Sequence, residues 1–208
     1  MSADHFDIAQ SFIEHCQAGA PVSSLVVRFQ HALETLGFRY FACCSHVDPL
    51  KPPPRAVVLH TYPREWERTF SELEFYDIDP VFHHASRTLL PFFWDAEVFR
   101  GELSPPQQEI FAEASRLGIA HGYTIPVHSP LAPGSVRASC SVIPDSTSLE
   151  SSCYHAVQLM AFHIYEAASA DADAKDNSVL PPELSRRERQ CLELAALGKS
   201  DWVAGKIL

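Results

Sequence analysis

Between residues 62 and 82 the chain reads YPREWERTFSELEFYDIDPVF. Three side chains in it carry usable polar handles. The Asp79 carboxylate accepts hydrogen bonds, the Trp66 indole N–H only donates, and the Tyr62 phenol O–H does either. Pro80 restricts the backbone at Asp79. A further indole, Trp94, follows in PFFWDAE. A carboxylate suits an amide N–H, and the two donors suit carbonyl oxygens. Each residue alone also has a plainer reading. Trp66 and Trp94 would serve as core aromatics, Asp79 as a helix cap or turn former, and Tyr62 as a strand-end residue before Pro63. Asp77 reads as solvated.

Other chemistries lack their residues. There is no G-x-S-x-G elbow, no H-E-x-x-H and no Gly-rich phosphate loop among the 208 residues. His83 and His84 are adjacent and would diverge on a helix, as surface or satisfied side chains. The six cysteines include no C-x-x-C pair, so a zinc site is not expected and the thiols read as reduced. Cys43 and Cys44, adjacent in a strand, would face opposite sides. No run of about 18 apolar residues crosses a membrane. The start, MSADHFDIAQ, is not a secretory signal, and the expectation is a cytoplasmic protein. The formal net charge of −10 is uneven: residues 1–182 carry 11 basic and 22 acidic side chains, and residues 183–208 five and four. An acidic body disfavours phosphate backbones, so a nucleic-acid role belongs to the tail.

The elements that would position these groups follow from periodicity and turn residues. Helices are expected over 4–17 and 23–36, the second stopped by Gly37. Strands are expected over 38–47 and 56–62. Pro63 would open a helix reaching about Glu74, with Trp66 and Phe70 one turn apart on one face. Pro80 would open a short helix, and Ser104 would cap one over 104–119. Strands over 121–129 and 135–144 precede a long helix, roughly 148–169, with Val157, Met160 and Ile164 on one side. Residues 169–183 are small, polar and end in prolines, which reads as a linker. The expected class is α+β: an α/β/α sandwich with a central antiparallel sheet flanked by helices, then the start of an all-α helix-turn-helix domain. In the tail, Ser185 and Glu188 make a capping box and Gly198 ends the helix. A generic helical hairpin fits these residues as well as a helix-turn-helix does.

The tail resembles the DNA-binding domain of LuxR-type regulators. Leu184, Ser185, Arg187, Glu188, Leu192, Ala196, Gly198, Lys199 and Ser200 fit that pattern, while Val203 departs from it. The body resembles the same family's autoinducer-binding domain through Tyr62, Trp66, Asp79, Pro80, Trp94 and Gly122. The resemblance implies an autoinducer-binding domain over 1–170, a linker over 171–182, and the N-terminal part of a helix-turn-helix domain over 183–208. It implies a ligand rather than a cofactor, an N-acyl-homoserine lactone. Asp79 would take the amide N–H, Trp66 the lactone carbonyl and Tyr62 the acyl carbonyl; Trp94 would wall the ring. Ser139 lies on the strand that carries a hydroxyl to the acyl carbonyl, and Val81 and Phe70 add apolar lining. The family often has a tyrosine where Phe70 stands. That loss points to an acyl chain that is unmodified, branched or aromatic rather than oxo-substituted. A homodimer is implied, with helix 148–169 as its surface or as plain core. DNA binding is implied only for a complete C-terminal domain. The recognition helix would follow Leu208, so the chain as written is expected to bind DNA poorly. The alternative is a naturally truncated antagonist that pairs with a full-length regulator.

Overall fold

The structure, a computed structural model, describes residues 4–101, 103–128, 137–146, 148–175 and 184–207. Two helices come first, α1 (His5–Gln17) and α2 (Val22–Thr35). The Asp4 side chain caps α1 by accepting from the Phe6 N–H at 3.2 Å. Gly37, at φ +89°, turns the chain out of α2; a left-handed φ costs glycine little. Strands β1 (Phe38–Ser45) and β2 (Val58–His60) follow. Then come α3 (Arg64–Glu72), α4 (Phe75–Ile78), α5 (Pro80–Ala85), β3 (Phe92–Phe93) and α6 (Glu97–Arg100). Helix α7 (Pro105–Arg116) starts from a Ser104/Gln107 capping box. Strands β4 (Tyr123–His128) and β5 (Arg137–Pro144) lead to α8 (Ser151–Lys175).

The five strands form one antiparallel sheet in the order β2-β1-β5-β4-β3. Successive side chains point to opposite faces, so each strand serves two cores. From β5, Ala138, Cys140 and Val142 pack on one face with α1, α2 and α8. Ser139, Ser141 and Ile143 point to the other face. On β1, Phe41 and Cys43 join the first core, while Ala42 and Cys44 face the second side. The first core is filled: the Phe12, Phe29 and Phe41 rings pack in sequence, tilted and then edge-on, at centroid separations of 5.3 and 5.0 Å. Val157, Met160 and Ile164 of α8 are fully buried against it.

Some boundaries differ from the sequence expectations. Pro63 is the cap of α3 rather than its first residue, and the helix ends at Glu72. Glu74, at φ +51°, breaks the path before α4. Helix α8 runs to Lys175, beyond the expected end at 169 and into the stretch read as a linker from 171. Ala-rich ASADADAK is a good helix former despite its charge. The rest of that linker, residues 176–182, lies outside the described residues, as do residue 183, strand position 129 and strand positions 135 and 136. The chain divides into compact units, Met1–Asp176 and Asn177–Leu208. In the second, α9 (Arg186–Ala196) and α10 (Asp201–Ile207) are joined through Gly198 at φ +72°. The Ser185–Glu188 capping box is formed, with the Glu188 N–H donating to Ser185 Oγ at 3.3 Å.

Candidate functional site

On the second face of the sheet, the helices stand off and leave a cavity. It holds roughly 830 Å³ of empty space, its mouth included. The floor is β1 and β5; α3, α5 and α7 form walls and roof. Tyr62, Trp66, Phe70, Asp79, Val81, Trp94 and Ser139 all line it. The chain thus gathers the seven residues singled out from the sequence around one space. Its surface is overwhelmingly apolar, with contributions from Phe82, Ile110, Phe111 and Ile119.

Local sequence explains the placement. In α3, Trp66 and Phe70 are four residues apart and both buried, while Arg64, Glu65 and Arg68 face outward. The Trp66 and Phe70 rings sit 5.6 Å apart, and Phe75 backs both at 6.1 and 6.2 Å. This cluster accounts for the aromatic density of the segment. Among the described residues, neither the Trp66 indole N–H nor the Tyr62 hydroxyl makes a hydrogen bond. Burial holds the Tyr62 phenol well above its ordinary range, helped by the thiol of Cys44 and the carboxyl of Asp79. Tyr62 therefore stays a protonated donor.

Asp79 is a helix cap that also borders the cavity. It caps α5, with Oδ1 accepting from the Val81 N–H at 2.7 Å and the Phe82 N–H at 3.4 Å. It is also only 7 % exposed, at the cavity wall. Burial raises its carboxyl from 3.8 to about 7, against the lowering effect of those two N–H groups. Asp77 is exposed, as expected. His83 is exposed and His84 packs edge-on against Phe92 and Phe99.

Trp94 does more than wall the space. Its indole N–H donates to Thr124 Oγ1 at 2.8 Å, and Thr124 Oγ1 lies 2.8 Å from Ser141 Oγ. The indole covers Gly122 so closely that a Cβ there would meet its ring carbons at 2.4–2.6 Å. This is why Gly122 belongs with the site. Ser139 Oγ lies 3.0 Å from His46 Nε2, and the His46 ring stacks on Phe82 at 4.2 Å and 9°. His60 and Glu67 also line the cavity, with Nε2 and Oε1 3.6 Å apart.

Sequence reasoning missed Thr124, Ser141, His46 and the His60–Glu67 pair. Alternation alone would have placed Ser139 and Ser141 on one face. The Trp94–Thr124 bond spans 30 residues and had no local signal. The Cys44 thiol, also at the cavity, donates to the Leu59 carbonyl at 3.5 Å, and burial pushes its pKa up, so it is a poor nucleophile.

This geometry can hold a neutral, mostly apolar small molecule by a few fixed polar contacts. A family model described as the autoinducer binding domain matches residues 23–168. The chain belongs to the LuxR-type quorum-sensing regulators. Its relatives are regulators rather than enzymes. It is 26% identical over 185 residues to RpaR, a quorum sensing-dependent transcriptional regulator of Rhodopseudomonas palustris, covering 89% of this chain and 74% of RpaR. It is 32% identical over 145 residues to RaiR, a transcriptional activator of Rhizobium etli, covering 68% of this chain and 58% of RaiR. The structure of Escherichia coli SdiA superposes with a TM-score of 0.64 at 18% identity, over 98% of this chain and 84% of SdiA. SdiA in complex with octanoyl-rac-glycerol gives 0.63 at 20% identity, over 99% and 82%. The LuxR-type autoinducer-binding fold is thus shared. Among the described residues no helix is long and apolar enough to cross a membrane.

Proposed function

We propose that this LuxR-type regulator binds an N-acyl-homoserine lactone in the cavity and acts on transcription in the cytoplasm. The observation that carries the reading is the convergence of Asp79, Trp66 and Tyr62 on one apolar space. One acceptor and two donors match one amide N–H and two carbonyls. The apolar remainder matches an acyl chain. Trp66 and Tyr62 offer donors at the edge of a largely apolar space, and a ligand whose oxygens meet them gains those hydrogen bonds. A lactone held there would complete the second core.

The test is thermal melting and isothermal titration against a panel of acyl-homoserine lactones. A saturable, chain-dependent rise in Tm supports the reading; no shift with any member overturns it. Phe70 narrows the chemistry. A phenyl ring without a hydroxyl favours an unmodified, branched or aromatic acyl chain. Strong preference for 3-oxo chains would contradict this.

We place the dimer surface on α8. Leu159 and Phe162 lie three residues apart on that helix and are 42% and 45% exposed, unlike its buried positions. A homodimer joined there would present two helix-turn-helix domains to a palindromic site. Helices α9 and α10 are read as helices of that domain.

A further inference from the structure

We propose that Ser141 is a second donor for the ligand's ring carbonyl, aimed into the cavity by a one-way hydrogen-bond chain from Trp94. This inference rests on the lactone reading above and deepens it.

The direction follows from counting protons. The Trp94 indole N–H can only donate, and it donates to Thr124 Oγ1 at 2.8 Å. Thr124 is fully buried, so its own hydroxyl proton has no water to meet. Ser141 Oγ, at 2.8 Å, is the acceptor within reach among the described residues. Were Ser141 instead to donate to Thr124, the Thr124 proton would be buried without a partner, which costs more than the bond returns. Thr124 therefore donates and Ser141 accepts. The Ser141 proton is left over. Ser141 is 6 % exposed and lines the cavity, so that proton serves whatever acceptor fills the space.

Ser139 does not have this fixed polarity. Its hydroxyl meets His46 Nε2 at 3.0 Å, and either partner can donate according to the imidazole tautomer. The two serines sit two residues apart on the same face of β5, about 7 Å along the strand. Ser141 is the one tied to Trp94, the indole that walls the ring. Ser139 thus falls to the acyl carbonyl and Ser141 to the lactone carbonyl.

The experiment pairs protein variants with ligand variants. The probes are the best lactone of the panel and the amide of the same acid with 3-aminotetrahydrofuran, which keeps the ring and its oxygen and lacks only the carbonyl. Ser141→Ala is expected to weaken the lactone by about 3- to 10-fold and the tetrahydrofuran amide by less than about 2-fold. Thr124→Val, which removes the group that orients Ser141, is expected to show the same selective loss, and Thr124→Ser to keep lactone affinity. Equal losses on both probes, or no loss on the lactone, would overturn the proposal. Unchanged affinity for the amide shows that a variant is folded. If the natural protein binds no lactone at all, the broader reading fails with this one. If it binds lactone and Ser141→Ala is unselective, only the assignment of Ser141 falls.

Discussion

Two demands on Asp79 oppose each other. The helix cap favours its charged form and the apolar cavity favours its neutral form, and the net result is a carboxyl raised from 3.8 to about 7. The native state therefore holds a proton between about pH 4 and pH 7 that the unfolded chain has released. Stability falls as pH rises through that window, by at most about 1.4 kcal/mol per unit, and levels off above it. Urea denaturation at pH 5, 6, 7 and 8 is expected to show this slope in unliganded protein. Asp79→Asn should flatten it; an undiminished slope would mean that Asp79 ionises normally. The sign reverses for binding. An amide N–H favours the charged carboxylate, so lactone affinity should rise from pH 6 to pH 8 in the natural protein, as titration calorimetry would register. At this scale the sequence was informative for Asp79, Trp66 and Tyr62, because residue type already limits what each can donate or accept. It was silent on Thr124 and Ser141. Hydroxyls on strands carry no distinctive pattern, and these two are joined to an indole that lies 30 residues before Thr124 in the chain.

Element boundaries followed the local signals where those signals were strong. The Ser104 and Ser185 caps, the helix opened by Pro80 and the stop at Gly37 stand where turn chemistry puts them. Boundaries slipped where propensity and polarity disagree, as at the end of α8. The meeting of β3 with β4 could not be read locally. There Trp94 N–H bonds the Gly122 carbonyl at 2.9 Å and the indole folds over the glycine. Gly122→Ala would drive a methyl group against the indole, 2.4–2.6 Å from its ring carbons. We expect a loss of about 1–3 kcal/mol from overpacking, a shift in tryptophan fluorescence and loss of ligand binding. A variant with natural stability and affinity would show that the indole moves aside freely. On the opposite face, Met160→Ala removes a fully buried side chain of α8 and is expected to cost about 2–5 kcal/mol, measured as a lower urea midpoint. Its cavity geometry should be intact, so lactone should still raise Tm in the variant.

Across the whole ligand-binding unit, one face of the sheet is packed and the other is hollow. On the proposed reading, the packed face supplies the permanent core and a bound lactone would fill the hollow one. Lactone at a hundred times its Kd should add about 2.7 kcal/mol by mass action, seen as a concentration-dependent Tm. A Tm unmoved by any lactone at saturating concentration would overturn the lactone reading. Light scattering is expected to find a dimer, and Leu159→Glu with Phe162→Glu a monomer that still binds lactone. A dimer surviving both charges would place the interface elsewhere. The layered class was legible because hairpin-like strands between amphipathic helices leave few other arrangements. The hollow was not, since periodicity marks which residues turn inward and not whether they meet.

Alternation along β5 has a consequence for descent. Positions 139 and 141 line the cavity, while 138, 140 and 142 pack into the filled core on the other face. A lineage can therefore exchange every other residue and answer to a different chemical message. The intervening residues, and the scaffold they hold up, need not change at all.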